Sequence, residues 1–150
     1  MLFKIREAEQ KDEEAIKELC LEMLRTIYKT DGVKGYDDDY FDKYWDDSEN
    51  LIYVAEDADY TLGYVSVEVY RQPQEYIYLD DMSVTERARG NGIGTKFFHN
   101  IESYARKIEI PNIIFHVEKS NVDAQRLYER LGYKIYKDQG HRYLMRKQVW

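Results

Sequence analysis

The stretch from Asp80 to Thr95, Asp80-Asp81-Met82-Ser83-Val84-Thr85-Glu86-Arg87-Ala88-Arg89-Gly90-Asn91-Gly92-Ile93-Gly94-Thr95, constrains this chain more than any other. An apolar run from Tyr76 to Val84 reads as a strand. The stripe Phe97, Phe98, Ile101, Tyr104, Ala105 and Ile108 reads as a helix. Between them lies a glycine-rich loop. The first amides of a helix have no intrahelical acceptor, and the helix dipole adds positive potential there. Glycines let an anion approach the backbone with no Cβ in the way. With the charge of Arg89 beside it, the loop is expected to hold a phosphate or diphosphate.

Two common phosphate fingerprints do not fit. A dinucleotide loop, Gly-x-Gly-x-x-Gly, needs a third glycine at its sixth position, which counted from Gly90 as the first is Thr95, and it follows the first strand of a βαβ unit, not one past mid-chain. A P-loop ends in Gly-Lys-Ser/Thr, whereas here Gly94-Thr95-Lys96 has the last two residues reversed. The spacing that does fit is Arg/Gln-x-x-Gly-x-Gly/Ala, met by Arg89, Gly92 and Gly94.

A second constellation runs from Asn121 to Tyr133. Asn121 is a favourable helix N-cap, Ala124, Leu127, Tyr128 and Leu131 share a face, and Gly132 closes the helix. Tyr128 reads either as a core aromatic or as a phenolic proton donor.

Elsewhere, residues 2 to 6 alternate as a short strand, and Asp12 to Tyr28 carries a clear amphipathic helical pattern. Asp37 to Trp45 is expected as a second helix, with Tyr36, Tyr40, Phe41, Tyr44 and Trp45 on one face. Residues 51 to 56 and 62 to 70 form strands around a polar loop. Residues 112 to 117 form another strand, and the tail closes as a hairpin around Gly140. The order β-α-α-β-β-β-α-β-α-β-β predicts an α/β fold: a mixed, mostly antiparallel sheet flanked by helices. No linker or repeat divides it, so a single domain over 1–150 is expected.

The net charge of -7 disfavours a nucleic-acid partner and suits a cationic one. No apolar run is long enough to span a bilayer, and Met1 to Gln10 lacks the apolar core of a signal peptide. A cytoplasmic location with no membrane partner is therefore expected. Cys20, the single cysteine, falls at a core position of the first helix and is read as packing.

Taken together, Arg89-x-x-Gly92-x-Gly94 and Asn121, Ala124, Leu127-Tyr128-Glu129-x-Leu131-Gly132-Tyr133 resemble motifs A and B of the GNAT superfamily of acetyl-CoA-dependent N-acyltransferases. The element order is similar over essentially the whole chain. The resemblance implies acetyl-CoA as co-substrate, with no metal. It implies that Met82, Ser83 and Val84 lie along the pantetheine, with the backbone of Met82 and Val84 pairing to it. It further implies that Arg89, Gly90, Asn91, Gly92, Ile93, Gly94 and Thr95 hold the pyrophosphate. Asn121 would face the pantetheine or a phosphate, and Tyr128 would protonate the departing thiolate.

Tyr78-Leu79-Asp80-Asp81 is similar to the Leu-acid-Asp stretch of polyamine and diamine acetyltransferases, where acids hold a cationic amine. Asp80 is accordingly the expected base or substrate anchor. Asp81, Glu68 and Tyr36 are further substrate-binding candidates, and His116 is an alternative base more often structural on a strand. The expected reaction is direct attack by a small cationic primary amine on the thioester. The alternatives are a peptide or protein amine as acceptor, or a non-catalytic acetyl-CoA-binding module. A homodimer is compatible with the sequence.

Overall fold

The computed structural model describes all residues, Met1–Trp150. Strands β1 (Lys4–Glu7), β2 (Leu51–Glu56), β3 (Thr61–Tyr70), β4 (Tyr76–Val84), β5 (Asn112–Glu118), β6 (Lys134–Asp138) and β7 (Arg142–Gln148) form one sheet in the order β1-β2-β3-β4-β5-β7-β6. The helices are α1 (Glu13–Tyr28), α2 (Asp42–Trp45), α3 (Ile93–Lys107) and α4 (Val122–Arg130). β1 pairs antiparallel with β2, and β7 pairs antiparallel with both β5 and β6. β4 and β5 run parallel, paired over Ile77–Leu79 and Ile113–Phe115. This is the mixed sheet that the element order implies.

The chain divides into two compact units. The first comprises Met1–Ser66 with Asp81–Phe97, and the second Val67–Asp80 with Phe98–Trp150. In the first unit, α1 lays Ile16, Leu19 and Cys20 against Ile52, Val54 and Tyr64, and Phe41 and Tyr44 complete the same core. Glu13 and Glu14 occupy the first turn of α1, where the dipole favours them. Arg6 ties β1 down: its guanidinium makes two bonds to Asp12, at 2.8 and 2.9 Å, and two to Glu56, at 3.0 Å each.

In the second unit, Ile113, Phe115 and Val117 bury alternate positions of β5. Phe98, Phe115, Tyr128 and Tyr133 form a continuous aromatic cluster there, with ring centroids 4.6 to 5.7 Å apart. Lys147 closes the end of α4, bonding the Leu131 carbonyl at 2.8 Å and Glu102 at 2.9 Å.

The expected second helix forms only in part. A 3-10 turn over Asp38–Phe41 passes into a single α turn, Asp42–Trp45. Local carboxylates and four closely spaced aromatics do not sustain a longer helix on propensity alone. The first strand also starts later than the alternation suggests, at Lys4.

Candidate active site

β4 delivers the chain to the glycine loop. Gly63 on β3 permits a close approach here: a Cβ on it would lie 2.7 Å from the Ser83 carbonyl oxygen. The amide of Thr85 donates to Leu62 O at 2.8 Å, and a 3-10 turn, Glu86–Ala88, follows. Glu22 of α1 fixes that turn, accepting from the Thr85 hydroxyl at 2.8 Å and from the Glu86 amide at 3.2 Å.

Gly90 and Gly92 adopt φ of +79° and +83°, a left-handed conformation that glycine takes without strain, and nothing lies within 4 Å of where a Cβ would stand. The first helical hydrogen bond of α3 runs from Lys96 N to Gly92 O at 3.0 Å. The amides from Gly90 to Thr95 therefore have no acceptor in the chain. α1, α2 and α4 each carry an acid in the first turn, whereas α3 carries none. Its N-terminal potential is not neutralised from within. Arg89 is half exposed; its Nε bonds Val84 O at 3.0 Å, and its guanidinium lies 3.9 Å from Glu22. The Asn91 amide group braces the loop by bonding Ala88 O at 3.0 Å and Arg89 O at 3.2 Å. Ile93 and Ser83 are buried.

In the second unit, Asn121 caps α4, its side chain accepting from Ala124 N at 3.3 Å. The Tyr128 ring packs against Phe98 and Phe115. Its carbonyl accepts from Leu131 N and Tyr133 N, at 3.1 and 3.0 Å. Its hydroxyl bonds nothing in the chain and is not sealed from solvent. Burial of the ring pushes the phenol up to about 12. It is a protonated, presented O–H. Tyr133 beside it differs: its hydroxyl donates to Glu102 at 3.2 Å.

The acidic candidates separate between the units. In the first, Tyr36 donates to Asp81 and lies 2.8 Å from the Tyr64 hydroxyl. Burial, followed by the neighbouring Tyr64 and Asp81, pushes the Tyr36 phenol far above its ordinary range. Tyr36 stacks on Tyr40 at 3.7 Å, and Tyr40 bonds Ser66 at 3.1 Å. In the second, Glu68 is buried and accepts from Tyr70 at 2.6 Å, Tyr70 stacks on Tyr76, and Asp80 is half-buried. His116 lies between Tyr78 and Gln139, with 2.7 Å on each side.

Sequence reasoning did not single out Tyr64, Tyr78 or Glu22. Tyr78 carries a readable signal, since it lies two residues from Asp80 and so shares its strand face. Tyr64 and Glu22 depend on contacts between segments distant in sequence.

The acetyltransferase (GNAT) family model matches residues 21–133. The chain belongs to this family. It is an acetyl-CoA-dependent N-acetyltransferase by class, and the mixed seven-stranded sheet with flanking helices is the GNAT fold. Among its relatives is the uncharacterized N-acetyltransferase MJ1530 of Methanocaldococcus jannaschii, 33% identical over 131 residues, covering 87% of this chain and 77% of the relative. Solved GNAT structures superpose over nearly the full length. The PaiA N-acetyltransferase of Thermoplasma acidophilum, in complex with coenzyme A, gives a TM-score of 0.80 at 17% identity, with 99% of each chain covered. YncA of Salmonella typhimurium, with its cofactor acetyl-CoA, gives 0.78 at 19% identity, covering 100% of this chain and 95% of that one. No helix is long and apolar enough to cross a membrane.

Proposed function

We propose that this GNAT protein moves the acetyl group of acetyl-CoA to a small cationic primary amine by direct attack. The observation that carries the proposal is the run of unpaired amides from Gly90 to Thr95 at a helix start free of acids. Such amides match a diphosphate in charge and in donor geometry. Arg89 adds a cation, and the backbone of Met82 and Val84 is assigned to the pantetheine. Asn121, whose carbonyl oxygen caps α4, retains its NH2 group for the cofactor. The similar structures of PaiA with coenzyme A and of YncA with acetyl-CoA support the same ligand class.

Tyr128 is assigned as the acid that protonates the thiolate. The support is its presented hydroxyl and a pKa of about 12, which keeps the proton in place at neutral pH. A backbone N–H near Met82 to Val84 serves the oxyanion. Asp80 anchors the acceptor ammonium, with Glu68 on the neighbouring strand. Asp81 and Tyr36 form a second acidic and aromatic element. Carboxylates and aromatic faces both attract ammonium groups, which favours a diamine or polyamine over a neutral acceptor.

The test is a panel of diamines, polyamines and short peptides assayed with acetyl-CoA for release of free thiol. Turnover of the diamines or polyamines is expected. Turnover confined to peptide α-amines would overturn the acceptor assignment, and no thiol release with any amine would overturn the catalytic one.

A further inference from the structure

The 3-10 turn Glu86–Ala88 has no side-chain cap of its own. Thr85 stands at its N-cap position, yet the Thr85 side chain accepts no bond from the turn. The cap comes from α1 instead. One oxygen of the Glu22 carboxylate accepts from the Thr85 hydroxyl at 2.8 Å, and the other from the Glu86 amide at 3.2 Å. That second oxygen also lies 3.9 Å from the Arg89 guanidinium. Glu22 stands three residues after the buried Leu19, so it leaves α1 on the flank of the packed stripe. Glu22, Thr85, Glu86 and Arg89 all lie in the first compact unit.

We propose that Glu22 is a positioning residue for the coenzyme A loop, and that its two effects on the cofactor oppose each other. The proposal rests on the reading of Gly90 to Thr95 as the diphosphate site. The first effect is geometric. Beyond the capped position, Ala88 N bonds Thr85 O at 3.0 Å, Arg89 N bonds Glu86 O at 3.2 Å, and Ala88 is fully buried. Asn91 then grips the carbonyls of Ala88 and Arg89. Each link fixes the next, so the residue that anchors the turn orders the loop before a ligand arrives. Ordering in advance lowers the entropic cost of binding. The second effect is electrostatic. The Glu22 carboxylate offsets the charge of Arg89 and repels the diphosphate that the loop would hold. The cap strengthens cofactor binding, and the charge weakens it.

The surroundings of Glu22 make the two effects separable. Glu22 lines an open cleft of about 360 Å3 together with Glu18, Leu19, Arg25 and Tyr60. Its side chain is 36% exposed. Salt therefore reaches the carboxylate and screens its charge. The hydrogen bonds that cap the turn act at contact distance and persist at any ionic strength.

The experiment measures coenzyme A affinity by calorimetry for wild type, Glu22→Gln and Glu22→Ala, at low and at high salt, with steady-state kinetics beside it. Glu22→Gln keeps an oxygen for the Glu86 amide and an NH2 group for the Thr85 oxygen, and loses only the charge. It should bind about two- to fivefold more tightly than wild type at low salt, and that difference should vanish at high salt. Glu22→Ala is equally neutral but supplies no cap, and should bind roughly tenfold more weakly than Glu22→Gln at either salt. The loss should appear in KM for acetyl-CoA with kcat held within about twofold, a split that reduced stability alone would not produce. If Glu22→Ala and Glu22→Gln bind within about twofold of each other, or if Glu22→Gln binds more weakly than wild type, the proposal is overturned and the acetyltransferase reading stands. Where Glu22→Ala folds poorly, Thr85→Val takes its place. It removes only the hydroxyl that Glu22 accepts, and should weaken binding about threefold or more. Unchanged affinity in Thr85→Val would overturn the cap. Wild-type protein that binds no coenzyme A would overturn the diphosphate site itself, and this proposal with it.

Discussion

The Tyr128 ring meets the Phe115 ring edge-on, with centroids 4.6 Å apart, while its hydroxyl is left without a partner in the chain. Packing fixes the ring, and nothing in the chain competes for the proton. Tyr128→Phe keeps the packing and removes only the O–H. It should lower kcat by about 10²-fold while leaving acetyl-CoA affinity nearly unchanged, because the acid acts only as the thiolate forms. Steady-state kinetics with a parallel binding titration check this. Unchanged turnover would remove Tyr128 from the chemistry.

Gly92 carries a φ of +83° with open space around it. Gly92→Ala therefore meets no clash, only the cost of left-handed backbone, about 1–2 kcal/mol. The loop should relax and misalign its amides. A fall in coenzyme A affinity is expected, with a drop in thermal stability no larger than that cost. Full affinity would show that the φ is irrelevant to binding.

Gly63 faces a different constraint. An added Cβ would press to 2.7 Å against the Ser83 carbonyl, a backbone atom that cannot rotate away. Gly63→Ala should push β4 outward at Met82 to Val84, destabilising the fold by about 1–3 kcal/mol and raising KM for acetyl-CoA. Denaturant titration and kinetics test the two effects separately.

Stability should fall on acidification. Asp12 is held below the usual carboxylate range chiefly by its hydrogen bonds from Arg6, and so is Glu56. A carboxylate with a lowered folded pKa contributes stability above its unfolded pKa, near ~4, and loses that contribution as pH falls through the folded value. Unfolding curves between pH 7 and pH 2 should therefore show stability falling below about pH 5. Asp12→Asn should flatten that fall and cost roughly 1.5–3 kcal/mol at pH 7.

Much of this architecture is legible in the residues. β2, β3, β4 and β5 stand where apolar runs or alternation put them, and α1 follows its i, i+3, i+4 stripe to Tyr28. Both halves of the motif pattern fall on a loop–helix junction and a capped helix, because Gly90, Gly92, Asn121 and Gly132 carry local backbone requirements. The sheet order was not legible. β7 inserts between β5 and β6 through contacts that no local pattern encodes. The spacing of aromatics from Asp37 to Trp45 is helical, yet Tyr40 is held by Ser66 from β3 and the adjoining Tyr36 by Tyr64. The partners of Tyr36, Tyr78 and Glu22 likewise lie 45, 38 and 63 residues away, beyond the reach of periodicity.

Calorimetric titration of the protein with coenzyme A tests the central claim most directly. The amides of Gly90 to Thr95 should bind its diphosphate, giving a saturable one-to-one isotherm that weakens in Gly92→Ala. No heat from coenzyme A or acetyl-CoA, with the protein folded throughout, would contradict the account.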